Sequence, residues 1–107
     1  MLARLRKLCL GLPESVETVT FGHPTFQTGA GKNKKTFAVF EFYADHWTVA
    51  FNTDGFTQRE LVAARPDRYF VTPYVGKHGW VSMIVDGRFS WTALERHVRA
   101  SARLVAK

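Results

Sequence analysis

The side chains best suited to binding or chemistry are concentrated in residues 69–83, YFVTPYVGKHGWVSM. Lys77 and His78 can contact anionic groups, and Tyr74 and Trp80 can stack on a flat ligand or a nucleobase. Pro73 fixes a turn, and the preceding residues are expected to anchor the chain where it crosses from a helix to a sheet. The stretch is therefore predicted to be a structural loop first and a contact surface second.

No set of residues matches a catalytic or metal-binding signature. The four histidines lack the spacing of metal ligands, and His23, between a glycine and a proline, is expected in a turn with its ring bonded to the backbone. Ser82 and Ser101 lack a hydrolase elbow, and Cys9 lies on an apolar stripe, as structural thiols do. The segment GAGK at 29–32 lacks the spacing of a phosphate loop. The sequence does not point to an enzyme, and no cofactor or metal is expected.

The chain is basic, with 15 Lys and Arg against nine Asp and Glu and a formal net charge of +6. Such an excess attracts polyanions without specifying which. The candidate nucleic-acid contacts lie on the first helix, in a lysine-rich loop, within residues 69–83 and on one face of the last helix. They are Arg4, Lys7, Lys32, Lys34, Lys35, Lys77, Arg96, Arg99, Arg103 and Lys107. A lysine-rich hairpin can reach phosphates without base contacts. An ordinary solvated surface explains the same residues, since no side chain is evidently placed to contact base edges.

Hydrophobic periodicity predicts three helices and about five strands. The helices are expected at residues 2–10, at 57–65 with Thr57 and Glu60 forming a capping box, and from an N-cap at Ser90 to the C-terminus. The strands are expected at 16–21, 24–28, 36–42, 46–52 and 80–86. This order predicts an α+β two-layer sandwich, an antiparallel sheet with helices on one face.

The other face of such a sheet is free to bind a ligand or partner. In residues 80–85 the odd-numbered side chains are aliphatic or methionine and face one way. If they pack under the helices, Trp80 lies on the open face near Phe37, Val39 or His46. The candidate contacts of this surface are His46, Tyr74, His78 and Trp80.

The length and composition indicate one domain over residues 1–107. The single cysteine excludes an internal disulfide. Basic residues interrupt the apolar N-terminal segment before a signal-peptide core forms, and no apolar run is long enough to span a membrane. We expect a soluble cytoplasmic protein that is a monomer or weak homodimer.

Several motifs occur in a fixed order: a helix followed by LPE, then FGHPTF, KTFAVF and PYVGKHGWVSM, then a closing helix. Over residues 2–106 this order resembles the MmcQ/YjbR-like family. The resemblance implies a fold similar to the bacterial frataxin homologues, a double-wing arrangement proposed for DNA binding, and no assigned enzymatic activity. One departure is Ala102, where the family often has tyrosine. Residues 1–12 contain no Asp or Glu, so the iron binding known for frataxins is not expected.

Two functions remain open. The first is a non-enzymatic binding module with weak electrostatic affinity for DNA through the basic hairpin and the last helix. The alternative is a protein- or small-molecule-binding domain that uses the open sheet face and residues 72–80.

Overall fold

The computed structural model describes residues 1–106, so Lys107, predicted to extend the basic face of the last helix, lies outside the described residues. In chain order the elements are α1 (Leu2–Leu10), β1 (Ser15–Thr20), β2 (His23–Thr28), β3 (Lys35–Tyr43), β4 (His46–Asn52), α2 (Gly55–Ala64), β5 (Tyr69–Val71), a 3₁₀ turn (Gly76–His78), β6 (Trp80–Ile84) and α3 (Trp91–Val105). No helix within residues 1–106 is long and apolar enough to cross a membrane.

The strands form one antiparallel sheet in the order β1-β2-β3-β4-β6-β5. The helices cover one face: α3 lies over β3 and β4, α1 contacts β1 and α2 contacts β5. The predicted α+β sandwich is therefore confirmed. The sheet has six strands rather than about five, because β5 pairs with β6 at the sheet edge. A three-residue strand is too short to show the alternation on which prediction depends.

The core lies between the helices and the sheet. Phe26 and Phe51 of the sheet, Leu94 and Val98 of α3 and Leu5 of α1 are all fully buried. The aliphatic side of the chain around β6 is also buried, as its alternation predicts: Val81, Met83 and Val85. Trp80 is consequently on the open face.

A β-bulge between β2 and β3 reverses the expected position of one aromatic side chain. The register shifts between Phe26 and Gln27, which pair with Ala38 and Thr36, so Phe37 is the extra residue. Phe37 is fully buried in the core. Its predicted place on the open face with Val39 is wrong, because strict alternation fails where a bulge inserts a residue.

The start of α2 also differs from the prediction. Asp54 is the N-cap, and its carboxylate accepts the backbone N–H of Thr57 at 2.7 Å. The capping box predicted for Thr57 and Glu60 is wrong, since Thr57 already lies inside the helix. Ser90 caps α3 as predicted, accepting a backbone N–H at 3.0 Å.

A buried hydroxyl joins α3 to the sheet. Ser101 donates to the carbonyl of Phe37 at 2.7 Å and accepts the backbone N–H of Asn52 at 2.8 Å. Ser101 is fully buried, so one side chain satisfies backbone groups of two neighbouring strands. The register of α3 on β3 and β4 is therefore fixed by a specific contact as well as by apolar packing.

A second contact on α3 involves a half-buried histidine. The ring of His97 stacks on Phe51 with 4.7 Å between centroids, and its Nε2 lies 2.9 Å from the hydroxyl oxygen of Tyr69. Burial, together with the charge of neighbouring Arg96, lowers the pKa of His97 to about 4. His97 is therefore neutral at pH 7 and belongs to the packing of α3.

Candidate ligand-binding site on the open sheet face

The uncovered face of the sheet carries a cavity of about 380 Å³. Its floor includes Thr25 of β2, Val39 of β3 and Ala50 of β4. These three side chains lie in one row, because Thr25 pairs with Val39 and Val39 pairs with Ala50. Short side chains in the centre of a sheet leave a depression, which here is mainly apolar. Its size is within the range of small-molecule sites.

Turns from opposite edges of the sheet form two walls of the cavity. The β1–β2 turn contributes Phe21, and the segment after the edge strand β5 contributes Tyr74. The two residues are 95% and 98% exposed, and their φ angles are +51° and +70°. Left-handed backbone is unfavourable for a bulky residue. Exposed aromatics in strained turns beside an apolar cavity favour a role in binding, because folding gains little from them.

Close backbone contacts hold residues 72–80 beside the cavity. Two features exclude a side chain at position 79. A Cβ at Gly79 would clash with the carbonyl oxygen of Thr53, and the φ of +88° at Gly79 is unfavourable for any residue other than glycine. Thr53 donates its backbone N–H to the Gly79 carbonyl at 2.9 Å. The side-chain amide of Gln58 donates to the carbonyls of Gly76 and Trp80 at 2.7 and 3.0 Å. Trp80 is thus positioned at the cavity by contacts from the residue that follows β4 and from α2.

A histidine and a glutamate face each other on the wall of the cavity. The Nε2 atom of His23 lies 3.4 Å from Oε2 of Glu41, whose side chain is 21% exposed. His23 is the first residue of β2 and its ring faces this carboxylate, so the predicted turn position with a backbone contact is wrong. Tyr43 follows Glu41 on the same face of β3 and also lines the cavity. Among residues 1–106, no Lys or Arg lines it.

The structure brings together two of the four residues predicted for a ligand or partner surface. Tyr74 and Trp80 line the cavity. His46 lies outside it, with its Nδ1 atom 3.2 Å from the carboxylate of Asp86. His78 is exposed in the 3₁₀ turn and does not line the cavity either.

Two further cavity residues, Glu41 and Phe21, were not predicted. The alternation of β3 already placed Glu41 beside Val39 on one face, so the sequence contained a signal for it. Phe21 carried no such signal, because its place on the wall depends on positive φ at a residue other than glycine.

The predicted nucleic-acid contacts lie on the helix layer and at one end of the sheet. The end where β3 and β6 begin is the end where β4 finishes, because neighbouring strands are antiparallel. The β2–β3 hairpin, with Lys32, Lys34 and Lys35, leaves this end, and the turn with Lys77 adjoins it. Lys35 and Val105 line one groove, so the hairpin lies beside the C-terminal end of α3.

The arginines predicted on the last helix share its exposed surface. Arg96, Arg99 and Arg103 line a groove along α3. The guanidinium of Arg99 is paired with Glu95 four residues earlier, at 3.0 Å. Part of the basic charge of α3 is therefore offset within the helix.

The fold and the cavity define a small α+β protein whose sheet is covered by helices on one face and carries a ligand-sized depression on the other. The YjbR family model matches residues 10–104, and the chain belongs to the YjbR family. The resemblance seen in the sequence is thereby confirmed. Among solved structures, the Deinococcus radiodurans protein DR2400, a DUF419 domain, is similar with a TM-score of 0.87 and 26% identity, covering 98% of this chain and 78% of that chain. No curated protein matches the chain.

Proposed function

We propose that this YjbR family protein is a binding module that holds a small molecule in the cavity of its open sheet face. The observation that carries the proposal is an apolar cavity of about 380 Å³ with the exposed aromatic residues Phe21 and Tyr74 on its walls. A partner protein would fit a flat sheet face better than a depression with raised walls. Walls on both sides of the depression favour a compact ligand that is enclosed on several sides.

The aromatic content of the site supports the same conclusion. Trp80 and Tyr43 line the cavity together with the two wall residues, so a flat ligand can contact rings from several directions. Stacking on such rings contributes about 0.5–1.5 kcal/mol per pair beyond the area buried. The backbone at Trp80 is already fixed by hydrogen bonds from Thr53 and from Gln58 of α2, so binding would cost little ordering of this residue.

The test is a screen of small aromatic compounds against the isotope-labelled protein, followed by amide chemical shifts. Bound compounds should shift amides in β2, β3, β4 and residues 72–80. Trp80→Ala should weaken their binding about three- to tenfold through loss of ring contacts. Trp47→Ala is the matched control, because Trp47 is on the same sheet, is 45% exposed and stacks on Phe40 outside the cavity.

Two results would count against the cavity. One is a screen in which compounds shift only amides remote from it, and the other is equal weakening by the two tryptophan variants. Phe21→Gly gives a further check that is safe for folding, because Phe21 is 95% exposed and glycine suits its φ of +51°. This variant should lose affinity while its urea midpoint is unchanged or higher.

Weak DNA binding is the second candidate, favoured by the position of the lysine hairpin. The groove that Lys35 and Val105 share places the hairpin next to the helix that carries Arg96, Arg99 and Arg103, so these charges can act on one duplex. Each phosphate contact contributes to affinity and to its salt dependence, with a slope of roughly −0.9 in the logarithmic plot.

Fluorescence anisotropy with a labelled duplex at about 50 mM salt tests this candidate. Replacing Lys34 and Lys35 by alanine should weaken binding and reduce the salt slope by about two. The control with equal charge loss replaces Arg65 and Arg88, which line a groove at the opposite end of the sheet. Absence of binding at micromolar protein would dismiss the candidate, as would equal effects of the two double variants.

A further inference from the structure

We propose that the ligand of the open-face cavity is a small organic cation, with an aromatic or apolar body and an ammonium group held near Glu41. This inference rests on the proposed function and adds the chemical class of the ligand. It follows from three properties of the cavity wall: the sign of its charge, the environment of its carboxylate and the type of its rings.

The charge of the cavity is opposite to that of the protein. The chain has 15 Lys and Arg and a formal net charge of +6. Within residues 1–106, none of these basic residues lines the cavity, and Glu41 is its one carboxylate. A site for phosphate or carboxylate ligands would need Arg or Lys, which bind such groups by charge-assisted hydrogen bonds. The arrangement therefore selects against anions.

Glu41 has a weak partner within the protein. The distance of 3.4 Å to His23 exceeds the usual 2.7–2.9 Å of a charge-assisted hydrogen bond. The side chain is only 21% exposed, on the face of a central strand. A neutral apolar ligand would displace water from this carboxylate without replacing the hydrogen bonds that the water makes, which is unfavourable. An ammonium group would supply hydrogen bonds and the opposite charge.

The rings of the cavity suit the same ligand. Tyr43, Tyr74, Trp80 and Phe21 all line it. The faces of aromatic rings attract cations, most strongly for tryptophan, and clusters of such rings are the common way to bind ammonium groups. A carboxylate among aromatic side chains thus combines two attractions that an organic cation satisfies at once.

The experiment compares benzylamine, benzyl alcohol and benzoate, which share a ring and differ in charge. Titration of the labelled protein at pH 7 should shift cavity amides with benzylamine, more weakly with benzyl alcohol and least with benzoate. We expect benzylamine to bind about fivefold more tightly than benzyl alcohol. Glu41→Gln should reduce this preference, because only the attraction of the aromatic rings for the cation is left. Glu60→Gln, an exposed position on α2 with the same loss of charge, should keep it.

The outcomes separate the inference from the function on which it rests. If the three compounds shift cavity amides with equal affinity, or if Glu41→Gln leaves the preference undiminished, the cavity binds small molecules but an ammonium group held near Glu41 is the wrong ligand. If benzoate binds best, the inference is likewise overturned. If none of the compounds shifts cavity amides, the proposed function fails together with the inference.

Discussion

Acidification should destabilise this protein in part by protonating His97, whose imidazole is partly buried between α3 and the sheet. Its Nε2 atom lies 2.9 Å from the Tyr69 hydroxyl, which can donate to it while the ring is neutral. Protonation makes both ring nitrogens donors and removes this acceptor. It also places a positive charge in a partly desolvated site beside Arg96, which is why burial and Arg96 lower the pKa of His97 to about 4.

The sign and size of the effect follow from this pKa. An unfolded histidine has a pKa of about 6.5, so between about pH 6.5 and pH 4 the unfolded state binds more protons than the folded state. The contribution of neutral His97 is complete above pH 6.5 and is lost as the pH falls through this window. At about 1.4 kcal/mol for each pH unit, the upper limit is about 3 kcal/mol. Because the ring is partly exposed, solvent screening reduces the expected loss to about 1–2 kcal/mol.

The assay is urea unfolding at several pH values between 7.5 and 4 for the wild type and for a variant without the titrating ring. In the double variant Tyr69→Phe/His97→Phe, a ring can still stack on Phe51 and no hydroxyl is left without its partner. Carboxylates contribute equally to both proteins, so the difference between the two pH profiles isolates His97. For a domain of this size about 1–2 kcal/mol corresponds to roughly 1 M urea. Parallel profiles would refute the assignment of the acid sensitivity to His97.

Three other predictions concern contacts that fix the fold. Ser101→Ala should lower the free energy of unfolding, measured in urea, by about 2–3 kcal/mol, because two buried backbone groups lose their hydrogen-bond partner. A smaller loss would mean that a water molecule replaces the hydroxyl. Gly76→Ala should lower the free energy of unfolding by about 1–3 kcal/mol, because its Cβ would overlap the side chain of Val71. Adding Val71→Ala should restore part of this free energy. If it restores none, the strain does not come from Val71. Cys9 should not react with a maleimide reagent at pH 8 until the protein unfolds. Burial, and to a smaller extent the charge of Glu17, raises the pKa of its thiol to about 12, so little thiolate is present. Rapid labelling of the folded protein would contradict this prediction.

The sheet and its helices could be predicted from local patterns because each long element has one buried side. The strand at residues 46–52 has the predicted bounds, and the alternation around β6 correctly placed Val81 and Met83 in the core. Local patterns failed where a long-range contact decides the structure. Phe37 is buried because β2 and β3 pair with a bulge, and β5 exists because Phe70 and its neighbours find a partner in β6.

The candidate site was predictable only in part for the same reason. Trp80 could be assigned to the open face by alternation, and Tyr74 by its place in an aromatic loop. The cavity itself needs the strand order, which sets Val39 beside Ala50 and brings the turns of both edges over that row. His78 has the chemistry expected of a contact residue, yet the 3₁₀ turn leaves it outside the cavity.

The strained turns of the sheet distinguish a binding role from a purely structural one. The β3–β4 turn also has left-handed residues, Ala44 and Asp45 with φ of +53° and +67°, so positive φ by itself reflects the geometry that tight hairpins require. Asn or Gly would satisfy the same geometry in the β1–β2 turn at a saving of about 1 kcal/mol. Phe21 occupies that position although its side chain is 95% exposed and buries almost nothing. The protein thus keeps a large apolar ring where neither turn geometry nor core packing favours one, and this supports the proposal that the cavity beside it binds a ligand.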